Sequence, residues 1–327
     1  MTAALPAPVL LLAGPSVLPG EADLVALATA HGREVAWLTP GTVLAPDVLD
    51  RVEACIPPLP HSLGATGWAA LGSLPALRMM QVLTGGIDWL ARFDLDGVQV
   101  ATSAGVADAS VAELVLALAL AARRDLVRHG DALRAGAWEE DLASPGLRGS
   151  RVVVVGAGGI GRAVADLLAP FGVDLVRVAR SARRDGDDRI HGVAELPSLL
   201  PAADVLVLAV PLTAETEGLV DARLLGLLPD GALVVNVGRG RLVVTDALVR
   251  EVASGRLRAA LDVVDPDPLP AGHPLRTLPG AIVTPHVGRN TRDVDGRQAA
   301  LLVAQLRRHL VGEPLENLVR EPVARPA

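Results

Sequence analysis

Residues 151–165 read Arg-Val-Val-Val-Val-Gly-Ala-Gly-Gly-Ile-Gly-Arg-Ala-Val-Ala, an apolar run that ends in a G-x-G-x-x-G turn and continues into helical spacing. No other segment constrains the fold as much. The β-branched run Val152 to Val155 suits a strand buried on both faces, and Ala163 to Leu168 carries the apolar period of a helix. Gly156 lets the chain leave the strand in a tight turn, Gly158 has no side chain to block a pyrophosphate, and Gly161 allows the helix to pack close to the strand. The unpaired N–H groups and the positive pole of the helix then favour an anion at its start. Strand, turn and helix together read as a dinucleotide cradle.

Composition bounds what surrounds that cradle. A chain of 327 residues corresponds to about two domains at roughly 150 residues each. Half of the residues are apolar, enough for a sizeable core. Glu113, Arg123 and Arg124 interrupt the best apolar stretch, so no segment approaches the ~20 residues that span a bilayer. The N-terminus lacks a charged region ahead of its apolar stretch, which argues against a secretory signal and for a cytoplasmic protein with no membrane partner. Thirty basic against 37 acidic residues give a net charge of −7, which disfavours nucleic acid as a partner. Cys55 is the only cysteine, so the chain has no internal disulfide and no Cys-based metal site; no metal is expected. The chain contains no Lys and no Tyr, which removes both as catalytic candidates.

Strand-like and helix-like segments alternate almost throughout, the pattern of parallel sheets with crossover helices. A first series comprises strands at Val9 to Ala13 and near Glu34 to Trp37, followed by apolar pieces near Val52 to Ile56 and at Met79 to Leu83, with a helix around Ala22 to His31. A long Ala/Leu-rich helix is expected over Ala109 to Arg128, capped by Asp108 or Ser110 and able to bridge two domains. A second series, Val152 to Val155, Leu175 to Ala179, Val205 to Ala209, Ala232 to Val237, Arg258 to Val263 and Ala281 to Thr284, makes a six-strand doubly wound unit. The last helix, Asp295 to Leu310, must pack elsewhere.

Five motifs now stand in order: Gly156 to Gly161; Val210-Pro211-Leu212-Thr213 with Thr216; Asn236-Val237-Gly238-Arg239-Gly240; Asp262-Val263-Val264-Asp265-Pro266-Asp267-Pro268; and Thr284-Pro285-His286-Val287-Gly288. In these the chain resembles the D-isomer-specific 2-hydroxyacid dehydrogenases, among them glyoxylate/hydroxypyruvate reductases and phosphoglycerate dehydrogenases. The resemblance covers most of the chain. It implies an α/β protein in which a Rossmann-type doubly wound domain, residues 105–289, is inserted in a smaller flavodoxin-like substrate domain, residues 1–104 plus 290–327. It implies a homodimer. It also implies that Gly156, Gly158, Gly159, Ile160, Gly161, Val210, Pro211, Thr216, Val237, Gly238, Asp262 and Gly288 line the cofactor, and that Gly85, Gly86 and Ile87 offer backbone N–H groups to the substrate carboxylate.

Hydride transfer to a 2-oxo acid places negative charge on the carbonyl oxygen, so a proton donor that titrates near neutrality must stand beside it. His286 suits that role, with Asp267 as the carboxylate that orients its ring. Arg239 suits the substrate carboxylate and carbonyl, which a guanidinium can hold with paired donors. Relatives usually carry Glu at position 267, often Arg at 159, and Thr or Ser at 108. The shorter Asp267 calls for a closer backbone or a longer bond to His286, and Asp265 is the weaker substitute.

Cofactor choice turns on the end of the second strand of the unit. An acid there accepts from the adenosine ribose of NAD, whereas NADP sites replace it with groups that hold a 2′-phosphate. Ala179 stands at that position and Arg180-Ser181-Ala182-Arg183-Arg184 follows. Arg180, Ser181 and Arg183 are therefore candidates for the phosphate, and NADP(H) is expected over NAD(H). No basic cluster suited to a phosphorylated substrate is evident in the N-terminal part, which favours small acids such as glyoxylate or hydroxypyruvate over phosphoglycerate. A non-catalytic dinucleotide-sensing module of the corepressor type and a formate dehydrogenase are the competing readings.

Overall fold

Val9–Ala13 is an uninterrupted apolar run and forms the first strand, β1, buried along its whole length. The structure is a computed structural model that describes residues 7–14, 18–41, 43–140 and 143–319. Its chain divides into two units, Met1–Val106 with Thr291–Ala327, and Ala107–Asn290. Residues 320–327, which the sequence reading assigns to the substrate domain, lie outside the described residues.

In the first unit β1 pairs in parallel with β2 (Glu34–Leu38) and β3 (Val52–Ile56), followed by β4 (Met79–Gln81) and β5 (Gln99–Ala101). The order β2-β1-β3-β4-β5 is that of a flavodoxin-like sheet. Its last helix, Arg292–Val311, packs along Glu21–Ala30. Two amides on it are wholly buried and therefore need partners. Gln298 donates to Ser103 Oγ at 2.8 Å, and Gln305 donates to Gln81 Oε1 at 3.0 Å and to the Glu316 carbonyl at 2.7 Å.

The second unit contains β6 (Arg151–Val155), β7 (Asp174–Ala179), β8 (Arg183–Asp185), β9 (Asp188–Gly192), β10 (Val205–Leu208), β11 (Leu233–Asn236), β12 (Arg258–Leu261) and β13 (Ala281–Val283). They form one sheet in the order β13-β12-β11-β10-β6-β7-β9-β8. All pairs are parallel except β8 with β9. Between β6 and β10 the order reverses, which is the topological switch point at which such sheets bind ligands. The four valines of β6 explain the double winding. Val153 and Val155 enter the core on one face, Val152 and Val154 the core on the other.

Three expectations need correction. The sheet has eight strands rather than six, because Arg183–Asp185 and Asp188–Gly192 form an antiparallel hairpin at its edge. That segment is largely polar and exposed, so it carries no hydrophobic period. The helix expected over Ala109 to Arg128 ends at Arg123 and lies within the second unit, and a separate helix runs from Leu126 to Arg134. Asp125 breaks it, with φ at +54° and its carboxylate held by Arg258 and Ser144. Finally, neither Asp108 nor Ser110 caps the helix Asp108–Arg123. Ser110 instead donates to the Gly288 carbonyl at 2.6 Å.

Candidate active site

The ends of β6, β10 and β11 meet through backbone contacts that exclude any Cβ. A methyl group on Gly156, at φ +124°, would lie 2.3 Å from the Ala209 carbonyl oxygen, and one on Gly161 would lie 1.8 Å from that of Gly156. A methyl on Gly238 would meet the Val210 oxygen at 2.6 Å. The glycine turn is thus locked against Ala209, and Gly238 against the adjoining Val210. Above Gly158 an added Cβ would meet nothing within 4 Å, and Gly158 is the residue from which the helix Gly159–Leu168 starts. Open space over a glycine at a helix N-terminus fits a dinucleotide pyrophosphate.

At the end of β7, Ala179 is buried and Arg180 is exposed. Arg180 lies 3.8 Å from the Glu215 carboxylate, so a carboxylate from the Val210–Thr216 segment already faces it. Arg183 is exposed on the hairpin strand β8. Thr216 is turned inward on its own segment, where its hydroxyl donates to the Pro211 carbonyl at 2.8 Å and accepts from the Thr213 N–H at 2.8 Å.

His286 and Asp267 are in contact. His286 Nδ1 lies 3.0 Å from Asp267 Oδ2, a normal hydrogen-bond length, so the shorter side chain at 267 reaches the ring. Asp265 instead points its backbone carbonyl to the Thr245 hydroxyl at 3.1 Å. With Nδ1 facing the carboxylate, Nε2 is the ring nitrogen on the side away from Asp267. His286 sits at φ +56°, a left-handed conformation that histidine tolerates better than most residues. Its N–H donates to the carbonyls of Asp262 and Thr284, each at 3.0 Å.

Asp262, to which the resemblance gives a place along the cofactor, turns its carboxylate onto the next loop. It is 3% exposed. Its Oδ1 accepts from Thr284 Oγ1 at 2.7 Å and the Val287 N–H at 2.8 Å, and its Oδ2 from the Gly288 N–H at 2.9 Å. The carboxylate clamps the loop that carries His286. Replacing Asp262 with Ala leaves two backbone N–H groups without their acceptor, and we expect a stability loss of about 3 kcal/mol in urea unfolding, with turnover falling alongside it.

Arg239 is half-buried and donates to the Gly238 carbonyl at 2.9 Å. Its turn is tied by the buried amide of Asn236, which donates to the Arg239 carbonyl at 2.8 Å and accepts from the Gly238 N–H at 3.1 Å. A methyl on the next residue, Gly240, would lie 2.0 Å from the Val264 carbonyl group. The arginine turn therefore rests directly on the segment that leads into Asp267.

The sequence reading missed Asn236, Thr284, Ser110 and Gly240 as supports. One signal was available: Asn236 is a lone amide at the end of the apolar run Leu233 to Val237, where a buried polar group must be bonded. The loop Gly85-Gly86-Ile87 belongs to the other unit. There the Thr84 hydroxyl donates to the Gly86 carbonyl at 2.7 Å, and a methyl on Gly85 would meet only Ala104, at 3.9 Å. Packing within that unit does not demand glycine at 85.

Residues 116–288 match the NAD-binding domain of the D-isomer-specific 2-hydroxyacid dehydrogenases. The glyoxylate reductase/hydroxypyruvate reductase of Homo sapiens is 33% identical over 74% of this chain and 76% of its own length. The chain belongs to the D-isomer-specific 2-hydroxyacid dehydrogenase family. It is an oxidoreductase of that family, dependent on a nicotinamide dinucleotide. Two solved dehydrogenases share its fold over nearly the whole chain. The Xanthobacter autotrophicus Py2 family member, in complex with NADPH and MES, superposes with a TM-score of 0.76 at 31% identity, covering 94% of this chain and 97% of that one. A glyoxylate reductase from Paecilomyes thermophila gives a TM-score of 0.83 at 25% identity, covering 97% and 99%. Among the described residues of this dehydrogenase, no helix is long and apolar enough to cross a membrane.

Proposed function

We propose that this dehydrogenase reduces a small, unphosphorylated 2-oxo acid of the glyoxylate or hydroxypyruvate kind to the D-2-hydroxy acid, with NADPH preferred to NADH. The observation that carries the reading is the 3.0 Å contact between Asp267 and His286 Nδ1, which leaves Nε2 to deliver a proton. When bound, the reduced nicotinamide supplies the hydride to the carbonyl carbon. As negative charge builds on the carbonyl oxygen, His286 donates its Nε2 proton and Asp267 supports the charge left on the ring. Arg239 holds the substrate carboxylate and polarises the carbonyl. On the same reading Gly85, Gly86 and Ile87 give backbone N–H groups to that carboxylate, while Ile160, Val237 and the glycine turn line the cofactor. The similar human protein is a glyoxylate/hydroxypyruvate reductase, which supports the choice of small acids.

The NADPH preference rests on Ala179, where an NAD site would carry an acid, and on Arg180 and Ser181 beside it. Arg180→Ala should raise the KM for NADPH about tenfold, the worth of one charge-assisted contact, while the NADH value stays within about twofold on this count. Comparable losses with both cofactors would remove Arg180 from the 2′-phosphate. We further assign the dimer interface to the segment after Arg123, because Leu126, Leu133 and Trp138 are 57%, 60% and 77% exposed. A cytoplasmic location accords with the need for reduced dinucleotide.

The deciding experiment is NADPH oxidation at about 340 nm, the nicotinamide absorbance band, with glyoxylate, hydroxypyruvate, pyruvate and phenylpyruvate. Turnover that favours the two smallest hydroxylated or unsubstituted acids supports the proposal. Tight NADPH binding without turnover on any acid would make the protein a dinucleotide sensor instead.

A further inference from the structure

The helix Gly159–Leu168 begins at the glycine turn, and the first residue of the helix Asp108–Arg123 packs against that same point. The contact is close. A Cβ built on Gly159 would fall 1.6 Å from Asp108 Oδ2 and 2.7 Å from its Cγ, so the Asp108 carboxylate fills the space where any side chain at 159 would stand. Asp108 is half-buried and lies in the first turn of its own helix. The positive poles of two helices thus converge on one carboxylate, and helix N-termini favour negative charge. The same amides at the start of Gly159–Leu168 are those that a dinucleotide pyrophosphate needs.

We infer that Asp108 is a built-in competitor of the dinucleotide pyrophosphate, a residue that weakens cofactor affinity by placing a fixed negative charge at the glycine turn. The inference rests on the assignment of Gly156 to Gly161 to the pyrophosphate. Like charges a few ångströms apart at a partly buried site repel strongly enough to change affinity by about an order of magnitude. Gly159 is the other half of the arrangement. Its lack of a side chain is what leaves that place to the Asp108 carboxylate. The penalty falls on NADPH and NADH alike, because both carry the pyrophosphate, and it speeds the release of oxidised cofactor after each turnover.

The test compares the wild-type protein with Asp108→Asn, which keeps the shape and removes the charge, and with Asp108→Ser. Dissociation constants for NADPH and NADH are measured by fluorescence titration, with adenosine 2′-monophosphate as a probe that lacks the pyrophosphate. Both variants should bind both dinucleotides about tenfold more tightly, with the gain shrinking as salt screens the repulsion. Adenosine 2′-monophosphate should bind equally to all three proteins. Unchanged or weaker dinucleotide binding by both variants, while the wild type binds, would overturn the inference and leave the cofactor assignment intact. An equal gain for the 2′-monophosphate, or loss of folding in both variants by circular dichroism, would make Asp108 a structural residue. If neither wild type nor variant binds a dinucleotide, the assignment of the turn fails and the inference falls with it.

Discussion

His286→Ala should lower kcat for the reduction of a 2-oxo acid by on the order of 10³-fold, the usual worth of a positioned proton donor, while the dissociation constant for NADPH stays within about twofold. The reasoning is local. His286 meets Asp267 through Nδ1, at 3.0 Å, and its loop is anchored by Asp262 rather than by the imidazole itself. Removing the ring therefore deletes the proton without dissolving the loop. A kcat within tenfold of wild type would place the donor elsewhere. Equal losses in kcat and in NADPH affinity would show that the imidazole supports the loop after all.

Arg239→Lys should reduce kcat/KM for the 2-oxo acid by about 10²- to 10³-fold, although the charge is retained. Lysine is a point charge on a flexible stem and cannot present the paired donors that a carboxylate and its neighbouring carbonyl require. The backbone of the turn is held independently by Asn236, which bonds both the Arg239 carbonyl and the Gly238 N–H. The substitution thus tests the guanidinium and not the turn. Steady-state kinetics with glyoxylate over a wide concentration range checks it, and activity close to wild type would exclude a role for the paired donors.

How much of this was legible in the chain depended on how strongly each residue was constrained locally. Val9–Ala13 coincides with its expected strand, because a buried apolar run leaves little freedom in where a strand starts and stops, and the apolar piece near Val52 to Ile56 is a strand as well. The hairpin at Arg183–Asp185 and Asp188–Gly192 was not legible, since its side chains are mostly polar and its pairing is decided by the sheet edge. The break at Asp125 depends on Arg258, more than a hundred residues away, and no window along the chain contains both. The candidate site divides in the same way. Residue types with reactive groups, His286, Asp267 and Arg239, stand out in the sequence. The side chains that aim them do not, because Thr284 and Ser110 declare their partners only when the strand ends meet.

The contact of Gly240 with the Val264 carbonyl has a bearing on redesign. The arginine turn and the acidic segment behind it interlock backbone to backbone, so neither can be lengthened, or exchanged for a homologous loop, by itself. Any graft that seeks a new substrate by replacing residues around Arg239 must carry Val264 to Pro268 with it, and a library that varies one segment while holding the other will sample mostly chains in which the two collide.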